Sequence, residues 1–317
     1  MFYTFTATEK EVSYKLEEVP FGKLNMFRLR NSSGDSICIL PEAGATIYEL
    51  VLAGRTVIHG RDTYEDFVRN RSAYEGARLC PFPSRIEDGS YNFNGIRYKL
   101  KPNDNFKRNA IHGLLADADY SMLDTFLGEN SGRIRFCFNF EGIAGYPFPF
   151  YTELNFILEE HSITIETSIE NRHNESIPMG DGWHPYFNLG NNIDGLKLRL
   201  PSTKALVLNE YLIPTGQMVE KQLNETLGSM SIDDCFVIDP SLGQAHTYLS
   251  DSKNTLNIWQ DTGKPGYNYL VVYTPGDRKQ IAIEPLTSPP NAFNSGDGLV
   301  VMEPDAVIKI RTGITIR

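Results

Sequence analysis

Apolar and polar residues alternate along much of the chain. Every second residue is strongly apolar in residues 133–140, and residues 162–169 repeat this pattern. Neighbouring side chains of a β-strand point to opposite faces of a sheet, so the alternation predicts strands that are buried on one face. Residues 91–100 predict a β-hairpin, because Asn94 and Gly95 can adopt the positive φ angles of a type I′ turn. Further strands are predicted at residues 36–40, 46–52, 151–158, 196–200, 204–208, 255–259, 269–274, 280–284 and 306–316.

Helical periodicity is nearly absent. Residues 62–69 and 217–227 show a helical pattern, each over two or three turns. Short strands separated by turn residues predict an all-β fold, a sandwich or a barrel, with very little helix. The sequence contains no linker, low-complexity run or internal repeat, so we expect residues 1–317 to form a single domain. Residues 74–90 and 286–299 are long irregular stretches, where binding sites commonly lie.

The charge of the chain narrows the possible partners. Its formal net charge is −10 over 317 residues, and Lys and Arg form no cluster. Nucleic acids and anionic membranes bind through positive charge, so we expect neither as a partner. No apolar run approaches the ~18 residues of a membrane span. A neutral small molecule fits this composition best, and we expect a monomer or a weak homodimer.

The cysteines and the amino-terminal residues indicate the compartment. Cys38, Cys80, Cys137 and Cys235 are far apart, without the spacing of a disulfide framework or a zinc site. Residues 1–9 contain neither the basic stretch nor the apolar stretch of a secretory signal. We therefore expect a cytoplasmic protein with reduced thiols.

Common catalytic motifs are absent from the sequence. It contains no nucleophile elbow, phosphate-binding loop, dinucleotide-binding glycine motif or metalloprotease helix motif. The six histidines show no close ligand spacing, so we expect neither a metal nor a cofactor. The candidate chemistry therefore rests on isolated polar residues in glycine-, proline- and aromatic-rich segments.

Two polar residues in apolar surroundings are the strongest candidates. His184 lies in residues 182–188, a segment rich in aromatic rings, where an imidazole could exchange a proton beside a stacked sugar. Glu284 ends the apolar run of residues 281–283, and burial of a carboxylate costs free energy unless it has a role or a partner. A histidine among aromatic residues is also commonly a structural core residue, so a role for His184 requires partners elsewhere.

Three further positions could supply such partners. Arg85 follows two prolines, His112 precedes a glycine, and Asp233 or Asp234 precedes an apolar run. Each has a structural alternative. The arginine could form a surface ion pair, the histidine could serve in packing, and either aspartate could cap or turn the chain.

Together, the segments from about residue 41 to residue 298 resemble the aldose 1-epimerase family, the galactose mutarotases. The residues that carry this resemblance are Arg85 with Ile86, Gly89, Tyr91, Phe93 and Gly95; His112 with Gly113; His184 with Tyr186, Phe187, Asn188 and Leu189; Asp233 with Phe236; and Glu284 with Pro290, Ala292 and Asn294. The motifs occur in the order found in the family. Ser84 stands where the family often has asparagine, and Leu114 stands where it often has a second glycine.

The resemblance implies a large antiparallel β-sandwich, the galactose mutarotase-like supersandwich, and an enzyme that interconverts the α and β anomers of a free hexose such as glucose or galactose. Ring opening requires a base at the C1 hydroxyl and an acid at the ring oxygen. The resemblance implies Glu284 as the base and His184 as the acid, with His112, Arg85 and Asp233 binding sugar hydroxyls. Candidates for a stacking wall are the rings of Trp183, Tyr186, Phe82 and Phe293. Two alternatives stay open: a hexose-phosphate epimerase of similar fold, and a catalytically silent carbohydrate-binding or regulatory module.

Overall fold

β-Strands are the main secondary structure of the chain, whose computed structural model describes residues 12–317. Residues 1–11 lie outside the described part, and with them the amino-terminal composition that suggests a cytoplasmic protein. Within residues 12–317, no helix has the length and hydropathy of a transmembrane span.

The strands range in length from two to ten residues. In chain order, the first of them are β1 Tyr14–Phe21, β2 Leu24–Asn31, β3 Ser36–Leu40, β4 Thr46–Leu52, β5 Arg55–Ile58, β6 Arg85–Ile86, β7 Ser90–Phe93, β8 Ile96–Lys99, β9 Ala110–Ile111, β10 Ser121–Leu127, β11 Gly132–Phe140, β12 Phe150–Glu159 and β13 Ser162–Asn171. The others are β14 Ile177–Met179, β15 Tyr186–Phe187, β16 Lys197–Arg199, β17 Lys204–Leu208, β18 Pro214–Glu220, β19 Asn224–Thr226, β20 Asp233–Val237, β21 Gln244–Ser250, β22 Thr255–Asp261, β23 Tyr269–Tyr273, β24 Ile281–Leu286, β25 Val300–Met302 and β26 Val307–Ile316.

The strands form three larger sheets and three small two-stranded pairs. The nine-stranded sheet has the order β10-β11-β12-β13-β26-β22-β21-β16-β19, the six-stranded sheet β15-β24-β23-β20-β17-β18, and the five-stranded sheet β1-β2-β3-β4-β5. The pairs are β6-β9, β7-β8 and β14-β25. All named pairings among the described residues are antiparallel, which confirms the predicted class of fold.

The predicted alternation appears most clearly in the nine-stranded sheet. Along β12 and β13 buried and half-buried residues alternate, because one face of the sheet packs on the core and the other faces solvent. On the core side, Phe156 packs on Trp183, with ring centroids 5.9 Å apart. Trp183 is next to Gly182, which bridges to the end of β24 in the six-stranded sheet. These contacts join two sheets into a sandwich.

One hydrophobic core connects the sheets from the first described strand to the last. It includes Tyr14 in β1 and Ile316 in β26, together with buried residues from most strands between them. We propose on this basis that the described chain forms one domain, as the sequence predicts.

The predicted hairpin and one predicted helix are confirmed. β7 and β8 are joined by Asn94 and Gly95, which have φ angles of 50° and 77°. The helix predicted at residues 62–69 is α1, Tyr64–Arg69, and the side chain of Thr63 caps it by accepting a hydrogen bond from the Asp66 N–H at 3.1 Å. A second short helix, α2, spans Ala292–Ser295.

The helix predicted at residues 217–227 is wrong. This segment forms the end of β18 and the whole of β19. β18 pairs with β17, with Val219 opposite Ala205, and β19 pairs with β16. Backbone pairing with existing strands outweighs a weak helical pattern, because strand propensity depends strongly on the neighbours that a segment meets. The sequence pattern also does not predict β1, β2, β10 or β21.

The turn after β9 depends on a glycine. Gly113 has a φ of +76°, and a Cβ added there would lie 2.3 Å from the carbonyl oxygen of Cys80. The same carbonyl accepts a hydrogen bond from Leu114 N–H at 2.7 Å, so the two backbones lie too close for a side chain. Gly216 in β18 offers a contrast, because its φ is +83° but an added Cβ would meet nothing within 4 Å.

We expect Gly113→Ala to destabilise the protein by about 3 kcal/mol or more, because the strained φ and the collision with the Cys80 carbonyl act together. Gly216→Ala introduces only the strained φ and should cost about 1–2 kcal/mol. Urea unfolding followed by circular dichroism measures both. Equal losses in the two variants would contradict the structural importance of the close approach.

Candidate active site

Glu284 lies in β24 of the six-stranded sheet and is 2% exposed. It pairs with Val271 in β23, and Val271 pairs with Cys235 in β20. Directly paired residues point to the same face of a sheet, as do residues two apart on one strand. Asp233, two residues before Cys235, therefore shares a face with Glu284. The sheet places two carboxyl groups on one wall of the site.

His184 is brought to Glu284 by the pairing of β15 with β24. Tyr186 pairs with Ala282, and the N–H of His184 donates to the carbonyl of Ala77 at 2.9 Å. Nε2 of His184 lies 3.3 Å from Oε1 of Glu284. The ring of Tyr186 stacks on the imidazole, with centroids 4.9 Å apart. The two candidate proton-transfer groups are thus in direct contact.

Arg85 and His112 reach the site from the short β6–β9 pair. Arg85 pairs with Ile111, and the N–H of His112 donates to the carbonyl of Ser84 at 2.8 Å. Ser84 and His112 have φ angles of 54° and 62°, a conformation that is uncommon for residues with a side chain and is concentrated at functional sites. The His112 ring meets the His184 ring edge to face, with centroids 5.1 Å apart.

The structure separates the two neighbouring aspartates. Asp233 points to the Glu284 face, where burial raises its pKa and the charge of Arg85 opposes the rise. Asp234 points to the opposite face, where its Oδ2 accepts a hydrogen bond from Nζ of Lys221 at 2.5 Å. Of the two, Asp233 is the one that the structure brings to the site.

Several polar atoms at the centre of the site have no hydrogen-bond partner among residues 12–317. They are Nε of Arg85, Nδ1 of His112 and Nδ1 of His184, and all three atoms are buried. Buried polar groups in native proteins are almost always hydrogen-bonded, so unpartnered groups in one place indicate that a polar ligand supplies the missing bonds. A ligand with several hydroxyl groups would provide both donors and acceptors.

Burial controls the charge of the central pair. The loss of solvent raises the pKa of Glu284 well above its usual range; Asp233 raises it further and Arg85 opposes the rise. Burial lowers the pKa of His184 to about 3, with Arg85 acting in the same direction. The site without ligand therefore favours a neutral imidazole beside a protonated carboxyl group, and one proton serves the pair.

The other candidate residues carry matching perturbations. Burial lowers the pKa of His112 well below its usual range, so this ring is neutral at pH 7. Burial also lowers the pKa of Arg85, while the carboxyl groups of Asp233, Asp104 and Glu284 raise it. Arginine stays charged under these conditions. The site is therefore a cation faced by several carboxyl groups.

A buried ion pair, which the sequence analysis does not single out, lies behind the site. Arg78 and Asp181 are both 0% exposed, and Nε of the arginine lies 2.7 Å from Oδ1 of the aspartate. Arg78 also donates to the hydroxyls of Tyr120 and Thr152, both at 2.8 Å, and the hydroxyl of Tyr267 donates to Asp181 at 2.9 Å.

Two hydrogen bonds join the segment of Asp181, which leads to His184, to the segment that follows Glu284. The N–H of Asp181 donates to Oγ1 of Thr287 at 2.8 Å, and the N–H of Thr287 donates to the carbonyl of Asp181 at 2.9 Å. Asp181 is three residues before His184, and Thr287 is three residues after Glu284. In the sequence, the signal for such an ion pair is a charged residue inside an apolar, glycine-rich run. A charge there is costly to bury without a partner.

Of the candidate aromatic walls, Tyr186 is the one whose ring contacts a site imidazole. Trp183 is 1% exposed and packs on Phe156 in the core. Phe82 and Phe293 are buried and pack on each other, with centroids 5.8 Å apart. These three rings pack in the core behind the site, and a role for them as a stacking wall is not supported by their burial.

Tyr74 is a site neighbour that the sequence analysis misses. Its ring lies 4.7 Å from the ring of His112, and its hydroxyl accepts a hydrogen bond from Nδ2 of Asn103 at 2.8 Å. It belongs to the irregular stretch of residues 74–90, and no local pattern distinguishes it from other loop aromatics.

Across residues 12–317, no group of three His, Cys, Asp or Glu side chains is arranged to hold a metal ion. The site histidines, His112 and His184, contact each other and Glu284 instead. Their arrangement is that of hydrogen-bonding and proton-transfer groups.

The chain belongs to the aldose 1-epimerase family. The sequence profile of this family, described as Aldose 1-epimerase, matches residues 26–315. The protein is therefore an enzyme of the isomerase class that acts on a sugar.

Relatives of known sequence match most of the chain at low identity. The uncharacterized protein YihR of Escherichia coli K12 is 26% identical over 283 residues, which cover 86% of this chain and 87% of the relative. The bifunctional protein GAL10 of Pachysolen tannophilus is 26% identical over 304 residues. That match covers 89% of this chain but 41% of GAL10.

Solved structures share the fold over nearly the whole chain. A galactose mutarotase-like protein from Clostridium acetobutylicum has a TM-score of 0.85 at 23% identity, covering 98% of this chain and 99% of its own. Galactose 1-epimerase from Lactobacillus acidophilus NCFM has a TM-score of 0.80 at 18% identity, covering 97% and 98%. These likenesses confirm the predicted galactose mutarotase-like sandwich.

The lowered pKa of His184 predicts a loss of stability in acid. In the unfolded chain a histidine titrates near pH 6.5, whereas His184 in the folded protein titrates at about 3. Between these values the unfolded state binds more protons, so stability falls as the pH falls. We expect His184 alone to remove about 2 kcal/mol between pH 7 and pH 5. Urea unfolding at both pH values measures this loss.

The test compares how much stability each variant loses between the two pH values. His184→Asn should lose less than the wild type, because its buried imidazole is gone. His59→Asn, a matched change at an exposed histidine, should lose as much as the wild type. The same loss in all three proteins would show that His184 is not held neutral by burial.

Proposed function

We propose that the enzyme is a mutarotase that interconverts the α and β anomers of a free aldohexose such as glucose or galactose. The 3.3 Å contact between Nε2 of His184 and Oε1 of Glu284 is the observation that supports this most strongly. Anomer exchange requires one group at the C1 hydroxyl and another at the ring oxygen. Both oxygens are bonded to the same carbon, so two adjoining proton-transfer groups match their spacing.

In the proposed reaction, ring opening moves one proton through each group. The Glu284 carboxylate takes the proton of the C1 hydroxyl while the His184 imidazolium gives a proton to the ring oxygen. The bond between C1 and the ring oxygen breaks, and an aldehyde forms. Rotation about the C1–C2 bond then presents the other face of the aldehyde, and the reverse transfers close the ring as the other anomer.

The buried setting suits both roles. A carboxylate with a raised pKa is a stronger base, and an imidazolium with a lowered pKa is a stronger acid. The sugar stabilises the charged form of the pair, because its C1 hydroxyl donates to Glu284 and its ring oxygen accepts from His184. Each positioned proton-transfer group contributes on the order of 10²–10⁴-fold to the rate.

The remaining site groups bind hydroxyls in this proposal. Nε of Arg85 and Nδ1 of His112 are buried and have no partner in the described part of the chain, so sugar hydroxyls complete their hydrogen bonds. Asp233, on the wall that faces Arg85, accepts a hydrogen bond from a sugar hydroxyl. Neutral sugars are recognised by such directional bonds, which a few convergent polar groups supply.

The charges of the site disfavour a hexose-phosphate substrate. Arg85 is the cation of the site, and Asp233 faces it. Arg108 on the neighbouring loop is already paired, with Nε 2.6 Å from Asp88 and Nη2 3.3 Å from Glu87. A phosphate would meet an arginine that already faces a carboxyl group, whereas phosphate binding depends on free cations.

A catalytically silent binding module is also disfavoured. A pocket that only binds sugar has no need of a carboxyl group that is 2% exposed and in contact with a neutral imidazole. Such burial costs free energy that a simple hydrogen-bonding residue would avoid. The retained pair therefore favours catalysis.

We expect Glu284→Gln and His184→Asn each to slow the reaction by about 10²-fold or more, because each removes one of the two proton transfers. The assay follows the optical rotation of freshly dissolved α-D-glucose or α-D-galactose as it approaches anomeric equilibrium. Glu166→Gln on the outer face of β13 and His59→Asn serve as matched controls and should keep the wild-type rate.

Full activity in either site variant would show that the substituted residue does not take part in proton transfer. If the wild-type protein accelerates none of the common aldoses, the mutarotase proposal is wrong. Sugar binding by calorimetry without any turnover would then favour the silent binding module.

The two aspartates allow a paired test of the substrate contact. Asp233→Asn should lower kcat/KM by about tenfold or more, because a hydrogen bond from a sugar hydroxyl to a charged acceptor is lost. Asp234→Asn removes only the ion pair with Lys221 on the opposite face and should leave kcat/KM within about twofold of the wild type. A larger effect at Asp234 would reverse the assignment.

A further inference from the structure

Two loops meet beside the site through an aromatic contact. The first, residues 101–109, leads into β9; the second, residues 209–213, joins β17 to β18. The ring of Phe106 lies edge to face with Tyr211, with centroids 5.6 Å apart. The guanidinium of Arg108 lies over the same tyrosine ring, 4.4 Å from its centroid. We call these three side chains the strap.

The first loop is fixed to the wall that carries His112. Oδ1 of Asn103 accepts a hydrogen bond from the N–H of Ile111 at 2.7 Å, and its Nδ2 donates to the hydroxyl of Tyr74. The buried carboxyl group of Asp104 accepts from the N–H groups of Arg108 at 2.9 Å and of Asn109 at 3.0 Å. These bonds define the path of the loop, so the strap residues on it project from a fixed base.

The second loop is fixed to the wall that carries Asp233. β17 runs antiparallel to β20, with Ala205 opposite Phe236, so the carboxyl end of β17 lies beside the amino end of β20 where Asp233 stands. The turn that follows is closed by Asn209, whose Oδ1 accepts from the N–H of Tyr211 at 2.9 Å. Tyr211 is therefore held just beyond Asp233.

The strap joins the two walls on which Arg85 and Asp233 face each other. In the proposed reaction C1 and the ring oxygen lie against Glu284 and His184. C4 is the ring atom opposite C1, so a substituent on C4 leaves the site on the side away from the proton-transfer pair. The strap connects the wall of Arg85 to the wall of Asp233, so it lies on this side of the site.

We propose that the strap closes the site at the C4 end of the sugar and restricts the enzyme to monosaccharides. The inference rests on the proposed mutarotase function. Lactose carries at its reducing end the same glucose unit that would react, but its second ring is attached at O4. That ring would need the space occupied by Phe106 and Tyr211, and entry would require their contact to break.

The test compares α-D-glucose and α-lactose by polarimetry in the full-length protein. The wild type should accelerate the mutarotation of glucose and leave that of lactose near the buffer rate. Phe106→Ala and Tyr211→Ala should each raise the lactose-to-glucose ratio of kcat/KM by about tenfold, because each removes part of the barrier. Phe126→Ala in β10 is a matched control, since Phe126 is 51% exposed, Phe106 is 46% exposed, and Arg133 lies over the Phe126 ring.

The outcomes separate the two proposals. Turnover of glucose together with comparable turnover of lactose by the wild type would overturn the strap proposal and leave the mutarotase function intact. An unchanged ratio in both strap variants, or an equal rise in Phe126→Ala, would also overturn it. No acceleration of glucose by the wild type would overturn the mutarotase function and, with it, the strap proposal.

Discussion

The buried ion pair between Arg78 and Asp181 is the interaction on which the geometry of the site depends. Removing one partner from a fully buried pair leaves an uncompensated charge and costs about 3–5 kcal/mol. The two residues also bond to neighbours from different parts of the fold: Arg78 donates to Thr152 in the nine-stranded sheet, and the Asp181 N–H donates to Thr287 beyond β24. Such a network fixes a single arrangement of the segments it joins, because any shift of one segment leaves a buried polar group unpaired.

This network positions the two proton-transfer groups, His184 and Glu284. They come from segments about 100 residues apart, and no helix of the described chain carries either of them. The short β15–β24 pair and the hydrogen bonds around Asp181 bring the two side chains together, and both side chains are buried. The same burial shifts the pKa values of Glu284 and His184. Position and reactivity are therefore consequences of one packing arrangement.

The sequence reveals the parts of this molecule that depend on local patterns. The alternation in β11 and β13 and the hairpin turn at Asn94 arise from residues adjacent in the chain, and family motifs point to the five candidate side chains. The helix predicted at residues 217–227 fails because strand pairing with distant segments decides its conformation. The partnership of Arg78 with Asp181 is equally non-local. Neighbouring residues do not tell which charge will meet which, and the choice between Asp233 and Asp234 needs the parity of a strand that only its pairing defines.

The single proton held between His184 and Glu284 has a consequence for the whole catalytic cycle. In the proposed reaction the pair gives one proton and takes one in the same step, so its total is the same before and after the ring opens. An active site of this kind needs no separate step to restore itself between turnovers. It can start the next cycle with either anomer, because the pair carries the same number of protons after conversion in either direction.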